Sequence, residues 1–214
     1  MRALLLWAAL ALAAPTGESS PAIGRFLIAK PQVAGFFGES VIVLVDHGEH
    51  GSLGLIVNRP IPHSVAELLP ELDDARGHEE SAFLGGPVAP DRLLLLVRSR
   101  SAPPGSAPVL SEVHVSGSRE TLRALLAKPP PGGELRAYVG YAGWAPGQLA
   151  AEIARGDWLV TPGDAASVFT REPAGLWKRL FDAHRMIEVR APRPSPSPLP
   201  GCELGCELHA ARIR

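Results

Sequence analysis

The chain has 214 residues, of which 46% are hydrophobic and 20% charged, and its formal net charge is −1. This length accommodates one large domain or two small ones, and this composition is typical of a globular protein that buries a substantial core. The balanced charge argues against a protein whose main task is to hold nucleic acid, because that task needs an excess of Lys and Arg to neutralise phosphates.

An apolar run, MRALLLWAALALAA, opens the chain and precedes Pro15-Thr16-Gly17. One Arg, a short apolar stretch and small residues at its end are typical of a secretory signal peptide, and the run is too short to span a bilayer. The alternative is an over-extended start, with the protein beginning near Ile23. We therefore expect residues 1–22 to be a leader of one of these two kinds, and no transmembrane segment in the remainder.

The segment from 23 to 189 mixes strand-like and helix-like patterns. Strands are predicted at residues 23–29, 41–45, 53–57, 93–97, 109–115, 135–141 and 186–189. A polar turn at 46–51 joins the second and third of these into a hairpin. Helices are predicted after the capping box Ser64-x-x-Glu67, from Ser118 to Ala127, from Pro146 to Gly156, at 164–169 and after Pro173.

These elements do not follow a regular βαβ alternation, and no clear break divides them. We therefore predict an α+β fold, with one domain at 23–189 in which short helices pack on a mixed, largely antiparallel sheet. The remaining residues, 190–214, begin with a Pro-rich stretch and carry the only cysteines, Cys202 and Cys206. That composition does not build a core, so we expect a disordered tail, and the role of its two thiols stays open.

Residues 138–159, YVGYAGWAPGQLAAEIARGDWL, form the densest run of glycine, proline and large aromatic residues in the chain. Apolar and polar residues alternate up to Tyr141, and a glycine-rich elbow around Gly143 then leads into the predicted helix. This elbow has two interpretations. The free N–H groups at the start of the helix suit an anion, or the elbow is a packing device with Trp144 and Trp158 in the core. It has neither a GxGxxG motif nor the Lys of a phosphate-binding loop.

The predicted hairpin turn contains Asp46, His47 and His50. These side chains suggest an acid/base or metal site, but zinc requires more ligands than the turn offers. The other interpretation is that His47 pins the hairpin through a side-chain hydrogen bond. We expect no metal site and no cofactor.

Four blocks of residues combine into a more specific pattern. They are Phe37-x-x-Ser40-Val41 with His47 and Gly51-x-x-Gly54-Leu55-Ile56-Val57-Asn58-Arg59-Pro60; Gly85-Gly86-Pro87-Val88; Gly140-Tyr141-Ala142-Gly143-Trp144-x-Pro146-Gly147-Gln148-Leu149 with Glu152-Ile153 and Trp158; and Phe169 with Leu176-Trp177. Together these blocks resemble the AlgH/YqgE family of bacterial proteins. The resemblance covers roughly residues 23–181, and the third block is its most specific part.

The resemblance implies a single cytoplasmic α+β domain, in a family whose members are sometimes labelled transcriptional regulators and have no established reaction or active site. The chain departs from the family in its signal-like leader, in its tail, and at Arg98, where members usually carry a His. A genuine signal peptide would instead export the protein. Fold membership alone does not define a function.

We expect a non-enzymatic regulatory or binding protein whose partner is unknown. The alternative is an anion- or nucleotide-binding domain, or an enzyme, that uses a shared concave patch in which Arg59 is the charged group. The candidate residues for this patch are Asn58, Arg59, Gly85, Gly86, Tyr141, Gly143 and Trp144. Arg59 suits a carboxylate or phosphate, although it could equally pair with a local carboxylate. We assign a structural role to His47, Pro146, Gly147, Gln148 and Trp158.

Direct DNA binding is not expected, because a recognition helix needs more basic residues than the predicted helices at 118–128 and 171–185 carry. Serine hydrolysis is not expected either, since the chain has no GxSxG elbow.

Overall fold

A computed structural model describes residues 20–77, 79, 81–129 and 134–190. Most of the predicted leader, and the predicted tail beyond residue 190 with Cys202 and Cys206, lie outside the described residues. The strands are β1 (Arg25–Ala29), β2 (Val41–Gly48), β3 (Gly51–Ile56), β4 (Pro60–Ser64), β5 (Ser81–Leu84), β6 (Val88–Arg98), β7 (Ala107–Leu110), β8 (Val113–Ser116), β9 (Glu134–Trp144) and β10 (Trp158–Pro162). The helices are α1 (Val65–Leu68), α2 (Arg119–Ala127), α3 (Gln148–Arg155), α4 (Ala165–Val168) and α5 (Leu176–Arg190).

The strands form one sheet in the order β10-β1-β2-β3-β9-β6-β8-β7, with β4 and β5 attached beside β9. The pairing of β5 with β9 is parallel, and the other strand pairings are antiparallel. The predicted α+β fold with a mixed, largely antiparallel sheet is therefore confirmed.

The sheet is strongly curled, so that its β7 edge returns towards the start of β1. A Cβ atom placed on Gly24 would lie only 2.4 Å from the carbonyl oxygen of Val109. The main core lies inside this curl, where side chains of β1, β2, β3, β6 and β9 meet. Helix α5 packs against it through Trp177, Leu180 and Phe181, and the indole N–H of Trp177 donates to the carbonyl of Ala29 at 2.7 Å.

Two smaller clusters lie outside the curl, one beneath α2 and one beneath α3. The apolar face of α2 packs on β6 and β9 through Leu122, Leu125 and Leu126. Helix α3 packs through Leu149 against a cluster that contains Trp144 and Trp158. The sheet is therefore buried on both faces over much of its area. This explains why residues 41–45 are all apolar, without polar residues in between.

The structure corrects several predicted elements. The single strand predicted at 109–115 is in fact the hairpin of β7 and β8, with its turn at Ser111 and Glu112. The prediction missed this turn because the strand-like pattern continues across these two residues. The strand predicted at 186–189 is the end of α5, since no residue breaks the helix before this short apolar run. Strands β4, β5 and β10 were not predicted. Asp46 and His47 lie in β2, so the turn of the first hairpin is shorter than expected.

Candidate functional site

The third sequence block builds a hydrogen-bonded network around the carboxylate of Glu152. The indole N–H groups of Trp144 and Trp158 both donate to Oε2 of Glu152 at 2.8 Å, and the amide of Gln148 donates to its Oε1 at 3.0 Å. A carboxylate only accepts hydrogen bonds, so it matches these donors. These hydrogen bonds give the spacing of Trp144, Gln148, Glu152 and Trp158 in the block a structural explanation.

The start of α3 is closed by the protein itself. The side-chain oxygen of Gln148 accepts from the backbone N–H of Ala145 at 3.1 Å, and Gly147 adopts a left-handed φ of 76°, which favours glycine. Pro146 lies in the connection between β9 and α3. Because Ala145 donates to Gln148, the anion-binding interpretation of the elbow loses one of the N–H groups on which it depended.

Asn58 and Arg59 anchor the loop that precedes β2. Asn58 accepts from the backbone N–H of Val41 at 2.9 Å and donates to the carbonyl of Glu39 at 2.9 Å. Arg59 donates to the carbonyls of Phe36 and Gly38, and its guanidinium lies 5.3 Å from the centre of the Phe36 ring. Burial lowers the pKa of Arg59 from its usual value. Both side chains therefore have backbone partners and belong to a fixed loop.

Gly85 and Gly86 are the point at which the chain crosses β9. A Cβ atom on Gly85 would lie 2.2 Å from the carbonyl oxygen of Gly140, and one on Gly86 would lie 2.1 Å from the carbonyl carbon of Tyr141. Gly140 itself has a φ of +65°. The crossing brings the connection from β5, which pairs with one edge of β9, to β6 on the other edge. These glycines are required by backbone contact.

A cleft of about 420 Å³ opens where the hairpin of β2 and β3 meets the end of β9. We call it the mouth cleft, because its lining side chains Leu53 and Tyr141 pack against the core inside the curled sheet. It is lined by Asp46, Gly48, His50, Gly51, Ser52, Leu53, Val88, Tyr141, Gly143 and Trp144. The structure thus brings Tyr141, Gly143 and Trp144 of the predicted patch together, while Asn58, Arg59, Gly85 and Gly86 are not among the lining residues.

The strand register explains why the cleft is open. Asp46 is opposite Leu53, Gly48 is opposite Gly51, and Leu53 is opposite Gly143. Opposed residues of antiparallel strands share a face of the sheet, so these positions all face the cleft. Gly48 and Gly143 supply no side chain there, and this absence leaves space beside the Tyr141 ring.

Strand alternation places the side chains of His47 and Ser52 on the opposite face, although Ser52 also borders the cleft. His47 is opposite Ser52, which is opposite Trp144, and Trp144 belongs to the cluster beneath α3. Nδ1 of His47 and Oγ of Ser52 are joined by a hydrogen bond of 2.8 Å across the two strands. This bond gives the hairpin-pinning interpretation of His47 a specific partner.

Comparison with known proteins identifies the family. The AlgH-like family matches residues 26–187. The chain belongs to the AlgH-like family. The predicted relationship is therefore confirmed.

Relatives from distant bacteria align over most of this AlgH-like chain. A UPF0301 protein of Streptomyces coelicolor is 38% identical over 78% of this chain and 89% of its own length. One of Myxococcus xanthus is 40% identical over 71% of this chain and 84% of its own. The names of these relatives state no activity, substrate or partner.

Solved structures agree with the fold. The solution structure of the AlgH protein from Pseudomonas aeruginosa matches with a TM-score of 0.63 and 32% identity, and covers 84% of this chain and all of that one (100%). Protein DIP2367 from Corynebacterium diphtheriae matches with a TM-score of 0.65, over 84% of this chain and 92% of its own. At 22% identity the second match supports the fold alone.

The sequence did not identify every residue of the site. Gly48 lines the cleft without having been singled out, and Val88 and Glu152 were known only as positions in the second and third blocks. The helical spacing of Gln148 and Glu152 was the one local signal for the network. Among the described residues, no group of three or more His, Cys, Asp and Glu side chains is placed to hold a metal ion. In the same residues, no helix combines the length and apolarity needed to cross a membrane.

Proposed function

We propose that this AlgH-like protein is a non-enzymatic binding protein that recognises its partner through the mouth cleft. One observation carries the proposal. Three of the four sequence blocks, which lie far apart in the chain, contribute to this one cleft: the first through Gly51 to Leu53, the second through Val88, and the third through Tyr141 to Trp144. The mouths of curled and closed sheets are common ligand sites.

The chemistry of the cleft favours binding over catalysis. The one Ser–His hydrogen bond in this region joins Ser52 to His47 on the opposite face of the sheet. The cleft is lined by one carboxylate and one imidazole, of Asp46 and His50, together with apolar and aromatic surface from Leu53, Val88 and Tyr141. This arrangement suits recognition of a partner, through which a regulatory role would be exercised.

A fragment screen followed by NMR amide shifts tests the proposal. Ligands are expected to shift the resonances of Gly48 and Gly51 in the wild type, and to lose this effect in Gly143→Val, whose side chain would fill the cleft. A Cβ at Gly143 meets the Tyr141 ring at 3.2 Å, so Gly143→Ala is the milder variant if valine perturbs the fold. Binding that occurs elsewhere, or that is equal in all three proteins, would overturn the proposal.

The alternative site around Arg59 is tested separately. Nucleotides and phosphorylated metabolites would be screened by thermal shift against the wild type and Arg59→Ala. Because Arg59 also anchors the loop through Phe36 and Gly38, the informative quantity is the ligand-induced increment in melting temperature and not the melting temperature itself. An increment present in the wild type and absent in the variant would favour the alternative.

We also propose that the partner is not DNA and that the protein works in the cytoplasm. The basic side chains of the two helices considered for DNA binding are partly paired: Arg119 lies 3.5 Å from Glu71, and Lys178 pairs with Asp182. The cytoplasmic location follows from the family resemblance. Sequencing the amino terminus of the protein from its host tests this, since removal of the leader would indicate export.

A further inference from the structure

The mouth cleft contains a carboxylate with no cationic partner among the described residues. Asp46 is exposed, faces the cleft, and has no hydrogen bond or ion pair within the described part of the chain. Glu49, in the adjacent hairpin turn, is also exposed but is not among the residues that line the cleft. His50 also lines the cleft, and Arg92 lies at the ring of Tyr141, so the attraction of a cation is a short-range effect of the Asp46 carboxylate itself.

An aromatic wall stands across the cleft from this carboxylate. The ring of Tyr141 lines the cleft, and the guanidinium of Arg92 lies 6.0 Å from the ring centre. Arg92 itself lines a separate hollow of about 210 Å³. The protein's own guanidinium thus already lies at one part of this ring, so a ligand in the cleft would use only the part of the ring that lines it.

The geometry points to an organic cation as the ligand: a primary ammonium or guanidinium group, carried by a small molecule or by a Lys or Arg side chain of a partner protein. This inference rests on the proposed function. The cationic head would form a charge-assisted hydrogen bond with Asp46. Its methylene stem would pack on Leu53 and Val88, and Val88 is 39% exposed and available for contact. Tyr141 would contribute its ring face.

The test uses agmatine, spermidine and a short acetylated lysine-containing peptide as probes, titrated at low ionic strength by NMR or calorimetry. Asp46→Asn keeps the size of the side chain and removes its charge, and is expected to weaken binding by about tenfold or more. Glu49→Gln makes the same charge change in the same hairpin outside the cleft, and is expected to change binding by no more than about twofold. Gly143→Val is expected to abolish binding.

Two results would overturn the inference. Equal binding by the wild type and Asp46→Asn would show that Asp46 forms no ion pair with the ligand. Equal losses of affinity in Asp46→Asn and Glu49→Gln would show that the cation responds to the overall negative charge of the hairpin and does not bind at Asp46. If these probes fail while neutral or anionic fragments bind in a manner sensitive to Gly143→Val, the cation inference is wrong and the proposed function stands; if no compound binds in the cleft, both are wrong. If the peptide binds more tightly than agmatine, the natural ligand is a side chain of a partner protein. If agmatine binds more tightly, the natural ligand is a small molecule.

Discussion

The two faces of β9 at its carboxyl end contrast sharply. On one face, Trp144 lies in a closed environment where Glu152 accepts hydrogen bonds from two indoles and an amide. On the other face, Tyr141 and Gly143 border an open cleft beside the exposed Asp46. One short sequence block therefore performs two tasks, and its most distinctive residues serve the packing side. A motif that is specific to a family therefore need not contain catalytic residues.

Gly86→Ala is expected to have the largest effect on stability, because it strikes the crossing that holds both faces of β9 in place. The new Cβ would lie 2.1 Å from the carbonyl carbon of Tyr141, and backbone cannot yield as a side chain can. We expect a loss of about 3 kcal/mol or more in the free energy of unfolding. Chemical denaturation monitored by circular dichroism measures it.

Gly175→Ala is the matched control, since a Cβ there meets no atom within 4 Å. Its effect is expected to stay within about 1 kcal/mol. Equal stability of the two variants would show that the crossing is not tight, and the explanation of Gly85 and Gly86 would fail with it.

Glu152→Ala tests the closed face and is expected to have the next largest effect. It removes the acceptor of Trp144 and Trp158, which are only 6% and 4% exposed. Each buried donor without a partner costs about 1–3 kcal/mol, so for the two indoles we expect a loss of about 2 kcal/mol or more. Tryptophan fluorescence during denaturation measures both the stability and the change in indole environment.

Glu49→Ala, at an exposed position, serves as the control and is expected to leave stability within about 0.5 kcal/mol of the wild type. Glu152→Gln should also destabilise, because one carboxylate oxygen becomes an amide N–H₂ that faces other donors. A stable Glu152→Ala variant would contradict the structural role assigned to this network.

Tyr138→Phe is expected to have the smallest effect at neutral pH. Tyr138 is fully buried, and its hydroxyl makes no hydrogen bond of normal geometry among the described residues, although the Arg136 guanidinium lies near enough to act on its pKa. Removing that hydroxyl should change the free energy of unfolding by less than about 1 kcal/mol, in the stabilising direction. Comparison with Glu152→Ala therefore shows whether an unsatisfied hydroxyl in the core costs less than the indole N–H groups that lose their acceptor.

The same variant has a defined pH dependence. Burial raises the pKa of Tyr138, with the positive charge of Arg136 acting in the opposite direction. Above about pH 10 the unfolded chain releases this proton while the folded protein retains it, so wild-type stability falls as pH rises. Between about pH 10 and 11 the wild type should lose up to about 1.4 kcal/mol more than Tyr138→Phe. Parallel pH profiles would contradict the raised pKa.

Features set by neighbouring residues were predictable from the sequence. The capping box is present as expected: Ser64 Oγ accepts from the N–H of Glu67 at 3.2 Å, and Glu67 accepts from the N–H of Ser64 at 2.9 Å. Ser118 caps α2, and Gly156 ends α3 in a left-handed conformation with φ 85°. These contacts span three or four residues, so the local sequence contains both partners.

Features set by distant partners were not predictable. Nothing near Arg59 in the chain indicates that the carbonyls of Phe36 and Gly38 bind it. Gly85 and Gly86 suggested a ligand-facing elbow, but their need for glycine comes from contact with Gly140 and Tyr141. A backbone crossing and an anion-binding loop require the same residue type, so composition could not distinguish them.

The fold class, the family, several strands and the capped ends of α1, α2 and α3 could be predicted from the residues alone, because periodicity and capping act over a few residues. Which side of β9 is closed and which is open depends on the packing of the whole domain. That outcome depends on the register of β2, β3 and β9, where a shift of one residue exchanges the two faces. Register is fixed by the packing of the whole curled sheet, and no local stretch of this chain encodes it.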